Sequence, residues 1–534
     1  MEDDDLKEKQ AYLRENILEK GYDAEEFMTV LQNIKGASGL DLMNWTMSEL
    51  NDIVMQFIEE KQLQESHPEE EENNENKIIG EDDNNNLPNA PEEAYDLDKF
   101  SQDNPKGPPQ KEEFGKTSLM NYTPFSEKED IVVKISSPEK IDGGIFSKSY
   151  ISYLVETEPF NFKTRRRYSD FLWLRRKLSL IYSQCVIPPL CKKNFIYRFT
   201  DELINKRMRS IEKFFKGLLI HPLIKHSQIL YDFLSIEKNS EFESKKESYA
   251  KIAGPTKVKE IRTVGGEIKI SITKEKETYF QNIENNCNTN EDLLRQITKS
   301  HKSLLVLMGG VSEKMKEISN LWKSVYEKSV KYYDMPNTSD TYDILSKVME
   351  CWSEAEKKQM EILNVNVREY FRYIKNEYHS MGKLAKAVNS NKMIYKKGFD
   401  KLYFKKENLF KQQDVDQWGL DPEDSKDKLI LLKNKEYAFS KMLPQETKRV
   451  IMFKEFYGCF LNSIINEYER IRNINAKRHR ETITTFIRQL SDCLTLFHVE
   501  LADKLAEFSE IKEEGNIIND DNNNNFENID NNNQ

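Results

Sequence analysis

The feature that most constrains the fold is the stretch 279–508, in which apolar residues keep helical spacing almost throughout. Its first segment alternates spacings of three and four residues, which is the pattern of a coiled-coil seam. That seam consists of Met308, Val311, Met315, Ile318, Trp322 and Val325. Breaks at 335–337 and 417–422 divide the stretch into three helices, each roughly 80–110 Å long at ~1.5 Å per residue. Because such helices are too long for a compact globule, we expect an elongated coiled-coil bundle completed by a second chain.

A basic run precedes these helices at 165–171, which reads Arg-Arg-Arg-Tyr-Ser-Asp-Phe. Arginine binds phosphate oxygens in a planar, bidentate manner, and a tyrosine offers a flat face to a ring. Side chains alternate faces along a strand, so Arg165 and Arg167 share one side and Arg166 takes the other. We predict Arg167 and Tyr168 as ligands of a phosphorylated cyclic headgroup, Arg165 as an auxiliary, and Arg166 as a solvated or structural cation. The alternative is a basic surface strand.

A proline-rich stretch follows at 186–196. Its Pro-Pro pair stiffens an extended segment that ends in Lys192 and Lys193, and so holds two cations near one place. Apolar residues flank this polar loop. They are either core contacts or residues that dip into the acyl boundary of a membrane. The candidates for membrane insertion are Val186, Ile187, Leu190 and Phe195.

These motifs resemble, in order, those of the phox-homology (PX) domain, and most closely its sorting-nexin branch. The resemblance covers roughly 120–236 and includes a helix with Arg207, Ile211 and Phe214 and the stretch GLLIHPL at 217–223. It implies that Arg167 contacts the 3-phosphate of a phosphoinositide and that Tyr168 stacks under the inositol ring. It also implies that Lys193, with Lys192 as the alternative, contacts the 1-phosphate, and that Arg207 holds the ring hydroxyls. Cys191 stands where the family usually has a second proline.

The three long helices resemble the BAR domain of sorting nexins in layout and in a tip-like stretch at 405–410. In that family the helices form a crescent dimer whose basic concave face and tips lie on curved, anionic membrane. The resemblance implies a homodimer or a heterodimer with another sorting nexin. Two groups of basic residues are candidates for membrane contact, although such runs are also found on merely solvated helix faces. They are Lys396, Lys397, Lys401, Lys405, Lys406 and Lys411, and Arg470, Arg472, Lys477, Arg478 and Arg480.

We therefore predict an α+β multidomain protein, in which a small three-stranded sheet with helices precedes the three-helix dimer domain. Residues 260–272 alternate on both sides of Gly265-Gly266, which predicts a β-hairpin. Residues 239–258 have no clean apolar face, so we expect no amphipathic helix there. The predicted segments are 1–63, a helical module without an assigned role; 64–117, an acidic disordered linker; 118–238, the PX-like domain; 239–278, a connector; 279–508, the BAR-like domain; and 509–534, a disordered tail.

Charge is segregated along the chain. Residues 1–117 contain 11 Lys/Arg and 31 Asp/Glu, and residues 509–534 contain 1 and 7, so the termini carry −26 and the body, 118–508, carries +15 of the total −11. A basic body between acidic termini suggests an anionic partner, screened or gated by the termini. The alternative is that the termini only keep the protein soluble.

The cysteine spacing and the lack of long apolar runs indicate in which compartment the protein resides. The six cysteines stand far apart without a CxxC pair or a histidine at metal-ligand spacing, which indicates reduced, cytosolic thiols and no metal site. The acidic N-terminus lacks the apolar run of a signal peptide, and no stretch approaches the ~18 apolar residues of a membrane span. We therefore expect a cytoplasmic protein with peripheral membrane contact.

The sequence also disfavours catalysis. It contains no GxxxxGK[ST], GxGxxG, HExxH or GxSxG motif, and its seven histidines are scattered, so we expect no enzyme activity and no cofactor. The leading hypothesis is a sorting nexin that binds phosphatidylinositol 3-phosphate and senses or shapes curved early-endosome membrane in protein transport, with a retromer-type cargo complex as candidate partner. The alternative is a cytosolic coiled-coil scaffold whose PX-like domain binds proteins. Nucleic-acid binding is disfavoured because no aromatic residues interleave the basic clusters.

Overall fold

The structure is a computed structural model of the chain. It describes residues 112–119, 130–141, 149–191, 200–332, 336–422 and 424–523, with isolated positions among 6–57 and residues 90, 123 and 125. The strands are β1 (Phe114–Lys116), β2 (Ser118–Leu119), β3 (Val132–Ile141), β4 (Tyr150–Glu158), β5 (Phe162–Arg167), β6 (Arg262–Thr263) and β7 (Glu267–Lys269). The helices are α1 (Tyr168–Ile181), α2 (Asp201–Leu219), α3 (Gln228–Ser235), α4 (Asn239–Ala250), α5 (Lys274–Tyr332), α6 (Pro336–Leu363), α7 (Glu369–Gln412), α8 (Lys428–Lys433), α9 (Lys435–Lys441) and α10 (Pro444–Asn523).

The predicted three-stranded sheet is confirmed. It has the order β3-β4-β5, and both pairs are antiparallel. Helix α1 begins at the residue after β5 and packs its apolar face on the sheet, with Phe171, Leu174 and Leu178 fully buried. Helix α2 contributes Phe214 and Phe215 to the same core. The basic run of the sequence therefore lies at the junction of a strand and a helix, where the core below fixes its backbone.

Helix α4 packs against this core although it has no apolar face. Its one buried residue, Phe242, lies between Trp173 and Phe233, with ring centroids 5.7 and 5.5 Å away. Farther along the helix, the Tyr249 hydroxyl donates a hydrogen bond of 2.9 Å to Asp232. The sequence is right that 239–258 is not amphipathic, but the packing of the sheet–helix core extends past residue 238 as far as α4.

The predicted hairpin at 260–272 is wrong in its pairing. Strand β6 pairs in parallel with β2, and β7 pairs antiparallel with β1, with Phe114 opposite Lys269. The segment 112–119 takes the hydrogen bonds that the two arms of a hairpin would have given each other. This segment lies close to the Val258 side chain at Gly115, where an added Cβ atom would be 2.7 Å from a methyl carbon of Val258. The prediction that the disordered linker continues to residue 117 is therefore also wrong for 112–117.

The three long helices are confirmed. They are α5, the continuous run of α6 and α7 through a π-helical turn at Asn364–Arg368, and α10. At ~1.5 Å per residue, the 59 residues of α5 run about 90 Å. The structure extends α10 to Asn523, so the prediction of disorder from residue 509 is wrong for 509–523. The predicted break near Trp418 is confirmed by a 3₁₀ turn at Val415–Trp418, followed by Gly419 with a φ of +61°.

The chain divides into two compact units. One comprises residues 1–287 with 379–469, and the other comprises 288–378 with 470–534. In the second unit α5 and α6 meet through buried serines, because the Ser312 hydroxyl donates to the Ser353 carbonyl over 2.9 Å and the Ser346 hydroxyl donates to the Ser319 carbonyl over 2.9 Å. Part of the predicted apolar seam of α5 stays open, since Val311, Ile318 and Val325 each keep more than a third of their surface exposed, whereas Trp322 stacks on Tyr342 of α6 with ring centroids 5.7 Å apart.

The N-terminal module contains a helical apolar cluster among its described residues. Phe27 and Phe57 meet edge to face with ring centroids 5.2 Å apart, and Trp45 is buried beside them. Thr46 and Glu49 form a capping box, because the Thr46 amide donates to the Glu49 carboxylate over 2.8 Å and the Glu49 amide donates to the Thr46 hydroxyl over 3.2 Å. This packing gives the module a core of its own.

Candidate functional site

The end of β5 presents its arginines on opposite faces, as the sequence predicts. Thr164 and Arg166 point inward, whereas Lys163, Arg165 and Arg167 point outward. The side chain of Arg165 is partly exposed and pairs with Glu139 at 3.0 Å. The strand therefore separates one structural arginine, Arg166, from two arginines that solvent can reach, Arg165 and Arg167.

Arg166 is the structural cation. Its guanidinium donates to the backbone carbonyls of Phe233, at 2.9 Å, and of Ile236, and it lies 3.9 Å from the ring centroid of Phe242. Burial lowers the pKa of Arg166 to about 10, so the group stays charged at neutral pH. It ties the end of α3 to β5, and this confirms that Arg166 is not a surface ligand.

Arg167 stands at the N-cap of α1 with 46% of its side chain exposed. Its backbone N–H donates to Asp170 Oδ2 at 3.0 Å, and its Nε lies 3.4 Å from Asp170 Oδ1. On α4, Glu243 Oε1 lies 3.9 Å from Arg167 Nη2. Two carboxylates thus orient the guanidinium while nearly half of the side chain stays open to an anion.

Tyr168 and Arg207 meet although they are 39 positions apart. The Arg207 guanidinium carbon lies 4.3 Å from the centroid of the Tyr168 ring, and both side chains are buried. Burial raises the pKa of Tyr168 well above its usual value, so the phenol is neutral. The structure therefore brings together three of the four predicted headgroup ligands: Arg167, Tyr168 and Arg207. Lys193, like Lys192, lies outside the described residues.

The proline-rich loop is tied down at Cys191, a contact that sequence reasoning missed. The Tyr168 hydroxyl donates to the Cys191 carbonyl, and the Cys191 N–H donates to the Ser210 hydroxyl over 3.0 Å. A proline at this position would have no N–H to give. The replacement of the family's proline by Cys191 is the sequence signal that could have revealed this tie.

Two other groups hold the same loop. The Arg175 Nε donates to the Pro188 carbonyl over 3.0 Å, and the Val186 N–H donates to the Glu467 carboxylate on α10 over 2.9 Å. Glu467 also lies 3.2 Å from His221 Nε2, and His221 Nδ1 accepts from the Leu223 N–H over 3.2 Å. These contacts make His221 a structural residue of its turn.

The predicted membrane-inserting residues divide in two. Val186, Ile187 and Leu190 are buried, so the structure corrects their assignment from membrane insertion to core contacts, the alternative that the sequence left open. Phe195 lies outside the described residues. The apolar side chains that precede the lysines hold the loop in place.

The first group of helical cations loses one member. Lys396, Lys397, Lys401, Lys405 and Lys411 are exposed. Lys406 is only 3% exposed, and its Nζ donates to the Phe439 carbonyl over 2.7 Å and to the Thr447 hydroxyl over 2.8 Å. Burial lowers the pKa of Lys406 to about 8. The prediction that Lys406 is a membrane-facing cation is therefore wrong.

The second group of helical cations, which lies at 470–480, also loses one member, Arg478. Arg478 donates to Glu377 over 2.8 Å, and the Asn475 side chain donates to the other oxygen of that buried carboxylate over 3.1 Å. This places Arg478 in the helix packing and corrects its prediction as a surface cation. Arg472, Lys477 and Arg480 are exposed, and Arg470 is half-buried.

Among the described residues, no group of three or more His, Cys, Asp or Glu could hold a metal ion. In the same part of the chain, no helix combines the length and the apolar character that crossing a bilayer requires.

Comparison with known proteins agrees with this geometry. A family model of the PX domain matches residues 154–237. Sorting nexin-4 of Eremothecium gossypii is 22% identical over 428 residues, which cover 71% of this chain and 96% of that protein. Sorting nexin-7 of Homo sapiens is 28% identical over 156 residues, or 27% of this chain and 38% of the human protein. The solved structure of the SNX-BAR Mvp1 tetramer aligns at 16% identity with a TM-score of 0.48, over 71% of this chain and 99% of that chain.

The sheet–helix core and its family match define a PX-domain protein. The alignment with sorting nexin-4 over most of the chain then extends the assignment to the long helices. The chain therefore contains a PX domain and is similar over most of its length to a sorting nexin, in agreement with the PX-BAR type that the resemblance predicted, and this supports a role in membrane-associated trafficking.

Proposed function

We propose that this protein binds phosphatidylinositol 3-phosphate through Arg167, Tyr168 and Arg207, with Lys193 as a further ligand and Lys192 and Arg165 as auxiliaries. The observation that carries the proposal is the Arg207 guanidinium 4.3 Å from the Tyr168 ring, beside a half-exposed Arg167. A guanidinium against an aromatic ring, with a second, half-exposed arginine at the adjacent position, suits a phosphate attached to a polar ring.

Vesicle flotation with and without phosphatidylinositol 3-phosphate tests this site. Arg167→Ala should weaken lipid-dependent binding by roughly ten- to a hundredfold, the loss of a charge-assisted hydrogen-bond pair. Lys163→Ala is the matched control, because Lys163 is an exposed cation on the same face of the same strand. Equal binding by Arg167→Ala and the parent at physiological salt would refute the site.

We further propose that a second copy, or another sorting nexin, covers the exposed seam of α5. Apolar residues on α10 of the same unit are exposed as well, including Ile487 and Leu494. Rows of exposed apolar side chains on long helices are typical of surfaces that a partner covers. Charged substitutions at Ile318 and Val325, read out by the mass of the assembly, test this pairing.

The proposed setting is curved early-endosome membrane, where the exposed lysines and arginines of both groups contact anionic lipid and a retromer-type complex supplies cargo. Each such cation contributes on the order of 1 kcal/mol near an anionic surface, and a dimer doubles their number. Combined with a headgroup site, these contacts give recruitment that neither achieves alone. PX-BAR sorting nexins are typically non-enzymatic, and we propose no catalytic role.

A further inference from the structure

The proline-rich loop at 186–191 connects a long helix to the candidate headgroup site. At the start of the loop, the Val186 N–H donates to the Glu467 carboxylate of α10 over 2.9 Å. At its end, the Cys191 carbonyl accepts a hydrogen bond from the Tyr168 hydroxyl, which also lies 2.9 Å from the Cys191 Sγ. One short loop therefore joins a side chain of α10 to the predicted headgroup ligand Tyr168.

Glu467 is a buried carboxylate that accepts from two groups of the PX domain. Its side chain is 9% exposed, and His221 Nε2 lies 3.2 Å from its Oε1 and 3.3 Å from its Oε2. His221 Nδ1 accepts from the N–H groups of Leu223, at 3.2 Å, and Ile224, at 3.3 Å, so the ring proton is on Nε2 and points to the carboxylate. Because a buried charge is costly without such donors, Glu467 is held in one place. From that place it holds Val186.

A second long helix reaches the loop through Arg175 of α1. Arg175 Nε donates to the Pro188 carbonyl over 3.0 Å, while its Nη2 donates to the hydroxyl of Ser380 on α7 over 3.3 Å. Since the guanidinium is planar, its bond to Ser380 restricts the direction in which it can hold Pro188. Every residue of this network lies in the compact unit of 1–287 and 379–469. The loop is thus attached to α10 directly and to α7 through one arginine.

The loop is stiff enough to pass a displacement from one end to the other. The Pro188-Pro189 pair has fixed φ angles and favours an extended backbone. Three apolar side chains of the loop are packed and leave it little room to adjust sideways. They are Val186, Ile187 and Leu190. At the far end, the Tyr168 ring that the loop contacts is also the ring against which Arg207 lies, at 4.3 Å. A displacement at Glu467 should therefore reach Cys191 and the ligands beside it.

We propose that Glu467 is a positioning residue of the headgroup site, which it reaches through Val186 and the proline-rich loop. This inference rests on the proposed headgroup function and adds that α10 and α7 take part in it. The affinity for the headgroup then depends on how these helices lie against the PX domain. By reciprocity, a bound headgroup stabilises the same arrangement of the helices.

Calorimetry with the soluble headgroup of phosphatidylinositol 3-phosphate, on the full chain, tests the positioning. Glu467→Ala removes the acceptor of the Val186 N–H and should weaken binding roughly fivefold or more. Glu467→Gln should keep most of the affinity, because an amide oxygen in the place of Oε2 is within reach of both Val186 N and His221 Nε2. Glu446→Ala on the same helix is the control, since Glu446 pairs with the exposed Lys405 at 3.0 Å. Equal binding by Glu467→Ala and the parent would overturn the proposal.

The Cys191 thiol reports the far end of the loop in the absence of any ligand. Five of the six native cysteines are buried and Cys191 is half-buried, so its alkylation can be followed by mass spectrometry. Glu467→Ala should raise the alkylation rate at Cys191, because the loop opens more often when its start is released. Glu467→Gln and Glu446→Ala should keep the parent's rate. Weaker headgroup binding with an unchanged rate at Cys191 would show that the effect does not pass along the loop, and the proposal would be wrong.

Ser380→Ala is a milder variant that serves if Glu467→Ala does not fold. It removes the hydroxyl that accepts from Arg175 Nη2 and should change both the affinity and the rate at Cys191 in the same direction, by less. If neither changes in this variant, the helices do not position the loop. A parent that fails to bind the headgroup would instead refute the Arg167 site, and the alkylation rates would then decide alone whether Glu467 positions the loop.

Discussion

Gly458 of α10 lies against the backbone of Ile270, so closely that a Cβ atom at 458 would overlap the Ile270 carbonyl oxygen and lie 2.7 Å from its carbonyl carbon. One turn later, the Asn462 side chain donates to the Ser271 carbonyl over 2.8 Å. The stretch that follows β7 is therefore seated on α10, where any side chain larger than glycine would displace it.

Gly458→Ala should destabilise the protein by about 1–3 kcal/mol, because rigid backbone rather than a flexible side chain must move. Gly382→Ala on α7 is the control. With no atom within 4 Å of its added Cβ, it should be neutral or stabilise by about 0.5–1 kcal/mol, the helix propensity gained. Thermal unfolding of both variants beside the parent measures the difference, and equal melting temperatures would show that the contact is not tight.

Cys191→Pro should destabilise the loop although it restores the residue usual in the family. The change removes the N–H that donates to the Ser210 hydroxyl, at about 1–3 kcal/mol for a partner left unsatisfied. Cys191→Ala keeps that N–H and should lose much less. Comparison of the two by thermal unfolding and by headgroup binding separates the N–H from the thiol. If the proline variant is as stable as the alanine variant, the hydrogen bond is unimportant.

Lys406 gives stability a pH dependence of predictable sign. Its folded pKa of about 8 lies below the ordinary 10.5, so between these values the unfolded chain binds more protons than the folded one. The contribution of Lys406 to stability is therefore lowest below pH 8 and increases as the pH rises towards 10.5. Unfolding by urea across this range should show a smaller increase in Lys406→Met than in the parent.

The exposed Lys405, which pairs with Glu446 at 3.0 Å, provides the matched control. Lys405→Met should keep the slope of the parent between pH 8 and 10.5. A parent-like slope in Lys406→Met would mean that the buried amine does not titrate in this range.

Glu243 competes with phosphate for Arg167 if the proposed headgroup site is correct. Its carboxylate lies 3.9 Å from Arg167 Nη2 and is largely exposed, so the expected gain is small. Glu243→Gln should strengthen binding of phosphatidylinositol 3-phosphate by roughly twofold to fivefold, the equivalent of a surface ion pair. Glu241→Gln, an exposed residue of the same helix, should have no effect. Calorimetry with a soluble headgroup measures both, and weaker binding by Glu243→Gln would contradict the competition.

The parts of this fold that follow from local patterns could be predicted from the sequence. The alternation of 165–167 needs only the geometry of a strand, and the long helices need only their spacing of apolar residues. The partner of β7 could not be predicted, because it is β1, about 150 residues earlier in an acidic segment that resembles a linker. Turn glycines at 265–266 favoured the nearer but wrong pairing.

In the candidate site, too, local motifs could be predicted from the sequence but contacts between distant residues could not. Its ligands stand in recognisable motifs, but neighbours distant in sequence decide which basic residues are free. Lys406 belongs to a run of lysines, and only Phe439 and Thr447, which come after the break at 417–422, show that it is buried. Arg478 is likewise removed from the surface cations by its hydrogen bond to Glu377, which is 101 positions away in the sequence. A run of basic residues is therefore visible in the sequence, but which of its members are exposed depends on tertiary contacts.

Charged substitutions in the exposed part of the α5 seam should separate the proposed dimer. Ile318→Asp and Val325→Asp place charges where a second chain would cover them, and a buried unpaired charge is strongly unfavourable. Because both positions are more than a third exposed in one chain, the fold of the monomer should persist. The double variant should therefore sediment with half the mass of the parent while its circular dichroism is unchanged. Lys323→Asp, an exposed change on the same helix, should leave the parent's mass unaltered. A double variant with the parent's mass would show that this seam is not the dimer interface.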